Sequence, residues 1–187
     1  MKRSLNMLAL LALMFAFGSS HAAGYFGASV GATSPDEDGF DDSNGYRFTI
    51  GYDVNPNVAI EGSYTYLGDF DADDDTIAAL EFLTGVALDD VSVEVDGFEF
   101  AVVGKGPISD TVTVFGKAGI FVWDAEYKID TVRFGSDSDT DDGSDPFFGF
   151  GVGFDLSKAL TLNVEYSFYE ASDGDIDYLG AGVNIRF

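Results

Sequence analysis

The C-terminal stretch, residues 176–187, alternates strictly between two kinds of side chain. One set is apolar and consists of Leu179, Ala181, Val183, Ile185 and Phe187, whereas the intervening residues are Tyr178, Gly180, Gly182, Asn184 and Arg186. A period of two residues predicts a β-strand. The stretch is long enough for a tilted strand to cross a bilayer, which takes about 9–11 residues. Because an open sheet edge cannot exist in lipid, the rest of the chain must supply partner strands.

The first 22 residues have the layout of a secretory signal peptide. Lys2 and Arg3 give a positive start, an apolar run covers residues 8–17, and Ser20-His21-Ala22 supplies small residues before a cut. We therefore expect a signal peptide at 1–22 and a mature chain of 23–187. The chain has no Cys, so a disulfide framework, a thiol site and a lipoprotein anchor are excluded. No apolar run is long enough for a transmembrane helix.

The mature chain divides into segments of alternating polarity that are separated by polar connections. The predicted strands are 25–33, 45–53, 58–68, one that ends at Gly104, 111–123, 146–155, 160–170 and the C-terminal stretch. The connections at 34–44, 69–90, 124–145 and 171–175 contain most of the acidic residues, and the connections between them are short. An even number of strands with short turns at one end and longer loops at the other predicts an all-β, eight-stranded antiparallel up-and-down transmembrane β-barrel.

A soluble β-sandwich or lipocalin-like barrel is the competing fold, and it would bury the apolar face. Alternation alone defines two faces but does not say which one is inside. The polar face is mostly Gly, Ser and Thr, which suits a narrow interior. Aromatic residues such as Tyr46, Tyr66, Phe148 and Phe168 crowd the strand ends on the apolar face, as interfacial belts do. Together with the signal peptide and the terminal Phe187, this pattern favours the membrane barrel.

Two places depart from simple alternation. The valines at 91, 93 and 95 have the opposite parity to Phe98 and Phe100, so we expect a β-bulge near Asp96–Gly97. Trp123 falls on the inward parity of its strand, which predicts either a position above the membrane or a shift of register there.

The second long connection contains an apolar segment, residues 76–88. Within it Ile77, Leu80, Leu83 and Val86 recur near helical spacing, which predicts a short helix. We expect this helix to pack over the barrel mouth, and an adhesive patch that binds a partner is the alternative.

Several stretches resemble the OmpA-like family of eight-stranded outer-membrane barrels. They are IEGSYTYLGD (60–69), GFEFAVVGK (97–105), VFGKAG (114–119), WDA (123–125), DPFFGFG (145–151) and NIRF (184–187). The resemblance covers the mature chain and implies the Gram-negative outer membrane, with its lipid and lipopolysaccharide, as the location. It also implies that the barrel-assembly machinery reads the C-terminal strand, with Phe187 as its signal. Because the sequence stops at Phe187, we do not expect the peptidoglycan attachment of two-domain members.

Six ionisable residues fall on the polar, inward face of the predicted strands: Arg47, Glu61, Glu99, Lys117, Glu165 and Arg186. Folding the fourth and fifth strands about Ile108 places Glu99 opposite Lys117, and Arg47 falls diagonal to Glu61. An eight-stranded barrel has just enough room inside for side chains, so unpaired charge there would be costly. One hypothesis is a salt-bridged plug, which the similar interior cluster of related barrels supports. The other is a gate whose ion pairs exchange partners to admit small ions.

The acidic loops raise the question of cation binding. The segment 137–143 approaches an EF-hand loop, but its Gly is one place late and Phe148 stands where the bidentate Glu should be. The alternatives are a solvated surface and a weak Ca²⁺ or Mg²⁺ site that bridges to lipopolysaccharide phosphates. The net charge of −24 argues against nucleic acid as a partner.

Catalysis is not expected. The only His, His21, leaves with the signal peptide, and without His or Cys the usual pairs of nucleophile and base are missing. We expect no cofactor and no resident metal. The sequence therefore predicts a non-catalytic outer-membrane barrel with a structural or surface-interaction role. A narrow porin-like channel for ions or small solutes, and an adhesin or weak divalent-cation-binding protein, are the alternatives.

Overall fold

A computed structural model describes residues 24–36, 39–84, 87–131, 135–171 and 174–187, so the predicted signal peptide lies outside it. Eight antiparallel strands close into a barrel in chain order, which confirms the predicted fold. The strands are β1 (Gly24–Pro35), β2 (Ser43–Asn55), β3 (Val58–Asp71), β4 (Leu88–Pro107), β5 (Val112–Thr131), β6 (Gly135–Asp155), β7 (Leu160–Ala171) and β8 (Gly174–Arg186). One helix, α1 (Asp74–Thr84), lies between β3 and β4. Among the residues described, no helix is long and apolar enough to span a membrane.

The barrel closes where β1 pairs with β8, with Phe26 opposite Ile185 and Val30 opposite Ala181. The connections β2–β3, β4–β5 and β6–β7 are short, and they define what we call the short-turn end of the barrel. The opposite end, which carries α1 and the extensions of β4, β5 and β6, is the long-loop end.

The apolar face of the strands points outward. Phe48 is 58% exposed, whereas its neighbour Arg47 is 3% exposed and faces the interior. The same contrast separates Phe148, 56% exposed, from Phe147, which is fully buried. A soluble barrel has the opposite arrangement. The outward apolar band therefore excludes the lipocalin-like alternative.

The interior is filled in layers. The predicted ion cluster occupies the middle, and a layer of apolar and aromatic side chains fills the long-loop half. This apolar layer consists of Leu67, Phe70, Val95, Phe121, Trp123, Ala125, Phe147, Tyr169, Ala171, Ile176 and Tyr178. Ala101 packs with the same residues but lies level with Glu61. A smaller cluster at the short-turn end consists of Tyr25, Ala59 and Val103, with Phe115 packed against it.

The third long connection was predicted as a loop over 124–145, and this prediction is wrong for most of its length. β5 continues to Thr131 and β6 begins at Gly135, so the two strands form a ladder in which Ala125 lies opposite Asp141 and Tyr127 opposite Asp139. β4 extends alongside β5 from Leu88. Asp and Ser favour turns, but here their backbone groups are paired in a sheet.

The bulge predicted near Asp96–Gly97 lies instead on the neighbouring strand. The register shifts in β3 between Tyr66 and Gly68, whereas β4 pairs regularly with β5 across Asp96 and Gly97. Leu67 is the extra residue, and Gly68 has a φ of +127°, which L side chains rarely adopt. The opposite parity of Val95 and Phe98 needs no bulge in β4, because Val95 points inward, into the apolar layer.

Trp123 faces the interior, and β5 shows no shift of register there. Its indole Nε1 donates a hydrogen bond to Asp145 Oδ2 at 2.7 Å. The side chain is 4% exposed. Trp123 is thus part of the apolar layer rather than of an outer aromatic belt.

The predicted helix is present as α1, and Asp73 caps it by accepting a hydrogen bond from the Thr76 backbone N–H at 2.7 Å. The expectation that its apolar residues pack over the mouth is wrong for Leu83, which is 78% exposed. Phe82 is 88% exposed. The Leu80 side chain and Val86, which belonged to the same prediction, lie outside the described part of the chain.

Candidate functional site

Arg47 on β2 lies at the centre of the interior ion cluster. Its Nε donates to Glu99 Oε1 at 3.0 Å, and its Nη1 donates to Glu165 Oε1 at 2.6 Å. Nη2 donates to Ser167 Oγ at 3.4 Å and contacts the Tyr169 hydroxyl. The guanidinium carbon is 4.8 Å from the centroid of the Tyr178 ring, a cation–π distance. One side chain thus links β2 with β4, β7 and β8.

Lys117 on β5 supplies the second cation of the cluster. Its Nζ lies 2.7 Å from Glu165 Oε1, 3.6 Å from Glu99 Oε2 and 4.0 Å from Glu61 Oε2. It also lies 5.5 Å from the centroid of the Phe147 ring. The ammonium group therefore contacts three carboxylates from three different strands.

The predicted cross-strand positions of these residues need correction. Lys117 pairs with Val103 rather than with Glu99, because the β4–β5 turn is centred nearer Asp110 than Ile108. The Lys117 side chain nevertheless reaches Glu99. Arg47 lies opposite Thr65, so it bonds Glu99 and Glu165 instead of the predicted diagonal partner Glu61.

Glu99 is 1% exposed and receives all of its side-chain hydrogen bonds on one oxygen. Oε1 accepts from Arg47, from the Tyr169 hydroxyl at 2.7 Å and from the Thr65 hydroxyl. Oε2 makes no hydrogen bond and faces the more distant Lys117 Nζ. Glu99 is therefore held rigidly on one side and only loosely on the other.

Glu61 forms the edge of the cluster toward the short-turn end. The Tyr25 hydroxyl donates to its Oε1 at 2.5 Å. Beyond it, Lys105 forms a salt bridge with Asp53, and its Nζ lies 5.1 Å from the Tyr25 ring centroid. The fourth strand was predicted to end at Gly104, but β4 extends past Lys105 to Pro107. Its inward parity, shared with Val103, was the signal that could have identified it.

Arg186 does not join the cluster. Its Nη1 pairs with Asp155 Oδ1 at 3.1 Å, and both side chains are about one-third exposed at the short-turn rim. The central cluster therefore contains two cations and three carboxylates rather than the balanced set of six. Hydroxyl donors from Tyr25, Thr65 and Tyr169 offset the excess negative charge.

The lumen is interrupted above the ion cluster. A polar cavity of about 80 Å³ runs from the short-turn rim, where Arg186 lines it, up to Lys117 and Glu165. On the other side of the cluster lies the apolar layer, in which Phe147 stacks on Tyr169 at 5.4 Å and Phe121 packs edge-on against the same ring at 5.0 Å. Charged side chains and a packed aromatic layer thus follow each other along the barrel axis.

The sequence matches the family described as "Outer membrane protein beta-barrel domain" over residues 5–187. The chain belongs to this family. It is also 28% identical over 180 residues to outer membrane protein A of Shigella flexneri, an alignment that covers 87% of this chain and 48% of the relative. The chain thus spans about half the length of the curated relatives that it matches. The predicted OmpA-like resemblance and the Gram-negative outer-membrane location are confirmed.

Solved structures show the same fold in other outer-membrane barrels. A major outer membrane protein from Thermus thermophilus has a TM-score of 0.61 at 13% identity and covers 89% of this chain and 99% of that one. Ail, the attachment invasion locus protein of Yersinia pestis, in complex with the heparin analogue sucrose octasulfate, has a TM-score of 0.55 at 16% identity and covers 89% and 97%. In outer-membrane barrels the short turns face the periplasm and the longer loops face outside.

Phe187 lies at the periplasmic seam of this outer-membrane barrel. Its backbone N–H donates to the Gly24 carbonyl at 2.9 Å, and its ring stacks on Phe26 at 4.9 Å. The ring is 61% exposed on the lipid-facing side. The terminal aromatic residue therefore joins β8 to β1 and remains accessible from the membrane.

The acidic residues that the structure describes in the extracellular part do not converge on one point. Among the residues described, no group of three or more Asp, Glu, His or Cys is placed to hold a metal ion. From Ser138 to Asp145 the chain is a strand, so successive side chains point to opposite faces and cannot form an EF-hand loop. Lys128 donates to Glu94 Oε2 at 2.9 Å, and this hydrogen bond raises the pKa of Lys128.

Proposed function

We propose that this outer-membrane protein is a closed, non-catalytic barrel with a structural and surface-interaction role. The main observation in support is that the interior is closed twice, first by the ion cluster around Arg47 and then by the apolar layer around Phe147 and Tyr169. An ion that left the polar cavity would have to separate buried ion pairs and then enter an apolar region. Each step carries a large electrostatic cost.

Planar-bilayer recording of the refolded mature barrel tests this proposal. We expect no discrete conductance steps from wild-type protein or from Lys117→Met and Glu99→Gln, because the apolar layer persists in all three. Discrete steps whose size changes in these variants would contradict the closed barrel and would support a gated pore. Folding of each sample is verified beforehand by its heat-dependent shift in electrophoresis.

A narrow ion channel is the second candidate, and the polar cavity that reaches Lys117 and Glu165 from the periplasmic rim favours it. If that cavity is half of a pore, the apolar layer is its barrier. The double variant Trp123→Ala, Phe147→Ala removes two large side chains from the layer while keeping every charged residue of the ion cluster. Conductance that appears only in this variant would assign the seal to the layer rather than to the ion pairs.

Surface interaction would depend on the extracellular acids and on the exposed apolar pair of α1, Phe82 and Leu83. A net charge of −24 disfavours a polyanion such as the heparin analogue bound to Ail. Weak Ca²⁺ or Mg²⁺ binding that bridges the acids to lipopolysaccharide phosphates stays a prediction, and it should weaken as salt concentration rises. Recognition of the C-terminal strand by the barrel-assembly machinery stays a prediction too. Its test is the assembly rate of Phe187→Ser.

A further inference from the structure

A second cavity, of about 350 Å³, opens at the extracellular mouth of the barrel. Its floor is apolar and buried, and consists of Phe70, Val95, Ala125, Ala171 and Ile176. These five residues belong to β3, β4, β5, β7 and β8. The floor is therefore held by strands paired in the barrel rather than by loops, and its shape exists before any ligand arrives.

The size and lining of this mouth cavity are those of a small-molecule site. Protein interiors contain few voids larger than a water molecule. An apolar cavity of roughly 150 Å³ stays dry and binds benzene, and ligand sites begin at roughly 300 Å³. The mouth cavity would therefore hold an apolar group about the size of one aromatic ring with a small substituent.

The rim of the cavity is acidic. Asp175 is the one charged residue among the described residues that line it, and its side chain is exposed. Its backbone carbonyl accepts a hydrogen bond from the Asp36 N–H at 2.9 Å, which brings a second acidic residue to the same rim. The cavity thus combines a dry floor with a negative entrance, on a protein with a net charge of −24.

We propose that the mouth cavity binds a small amphiphilic cation, with the apolar body on the floor and the ammonium group at the Asp175 rim. A carboxylate or sulfate of the same size would meet the negative rim and bind more weakly. An uncharged analogue would gain the floor contacts alone. This assignment does not depend on whether the barrel conducts, because the cavity lies on the extracellular side of the apolar layer and uses only its outermost residues as a floor.

The only tryptophan of the chain provides the readout. Trp123 precedes Ala125 on the same inward face of β5, and so lies directly beneath the floor. Intact refolded protein in lipid nanodiscs is titrated with benzyltrimethylammonium, benzyl alcohol and benzenesulfonate, which share a phenyl ring and differ in charge. Trp fluorescence is followed, with calorimetry in parallel and empty nanodiscs as the blank. We expect saturable binding in the order cation, alcohol, anion.

Two variants separate the parts of the proposed site. Asp175→Asn should weaken cation binding by about two- to fivefold, the range for an exposed ion pair, and leave the alcohol unchanged. Ala171→Leu fills the floor and should weaken both by about tenfold or more. Ala28→Leu adds the same side chain to the lipid face and should change the binding of neither the cation nor the alcohol. If Ala171→Leu does not fold, Ala125→Leu fills the floor from β5 instead of β7.

Three outcomes would overturn the proposal. The first is the absence of saturable binding by either method. The second is equal affinity in Ala171→Leu and Ala28→Leu, which would place the probes in the lipid. The third is binding of benzenesulfonate as tight as that of the cation, which would remove the role assigned to the acidic rim.

Discussion

Arg47 and Glu165, which are 118 residues apart in the chain, form a 2.6 Å ion pair between β2 and β7. Glu165 Oε1 accepts from Lys117 and Ser167 as well. This carboxylate oxygen therefore binds both cations of the central cluster. Because every one of these side chains comes from a rigid strand, the pair joins the two sides of the lumen.

Replacing Arg47 by Met should destabilise the barrel strongly. The change would leave Glu99 and Glu165 buried with Lys117 as their only cation, and breaking a buried pair costs about 3–5 kcal/mol. Reversible urea unfolding in lipid vesicles measures the effect. Arg186→Met is the control, because its pair with Asp155 is partly exposed and worth roughly 0–1 kcal/mol. Equal stability of the two variants would refute the central role of Arg47.

Neighbouring phenylalanines on β6 test the apolar layer. Phe147 is fully buried against Tyr169, whereas Phe148 is 56% exposed on the lipid face. Phe147→Ala should lower the free energy of unfolding by about 3–5 kcal/mol because it leaves a cavity. Phe148→Ala should cost less, because lipid chains fill the space. The same unfolding assay decides, and a larger loss for Phe148→Ala would contradict the layer's role in stability.

Gly68 is required by the bulge in β3. At its φ of +127° an added Cβ would be strained and would lie 2.5 Å from Ser43 Oγ. Gly68→Ala should therefore destabilise the barrel by about 1–3 kcal/mol. Gly104→Ala is the matched control, because the nearest atom to its added Cβ is 3.9 Å away. If both substitutions have the same effect on unfolding, the bulge does not require glycine.

Helix α1 should lose its cap at low pH. Hydrogen bonds from Thr76 lower the pKa of Asp73 below its ordinary value, so the carboxylate stabilises the folded helix. A lowered pKa gives stability that is complete above the unfolded value, about 3.9, and that disappears as pH falls through the folded pKa. Hydrogen exchange of the α1 amides should therefore accelerate in acid. Asp73→Asn keeps a neutral cap and should remove this pH dependence, whereas a persistent dependence would point to another group.

The barrel could be predicted from the sequence because apolar and polar residues alternate in the membrane-spanning part of every strand. The prediction also included every charged residue of the central ion cluster. Those residues interrupt a face that is otherwise mostly Gly, Ser and Thr, and they are Arg47, Glu61, Glu99, Lys117 and Glu165. The register inside the cluster was missed, because a shift of two residues at the β4–β5 turn moves Lys117 from Glu99 to Val103.

The apolar layer could not be predicted by the same rule. In the extracellular half Val95, Phe121 and Trp123 are apolar and yet point inward. Once both faces of a strand are apolar, alternation no longer identifies the inside, and Val95 was taken as a sign of a bulge. The β5–β6 extension was missed because composition rich in Asp and Ser resembles a loop, although Ala125, Tyr127 and Ile129 still alternate with charged residues.

The seam between β1 and β8 has a consequence for how the protein is made. It pairs Phe26 with Ile185, which are nearly as far apart along the chain as two barrel residues can be. Contacts of such long range slow folding, because the intervening chain must first be brought together. Until β8 docks, β1 and the growing sheet present open edges that invite aggregation. The cell must therefore keep the chain unfolded during export and guide this last pairing of β1 with β8.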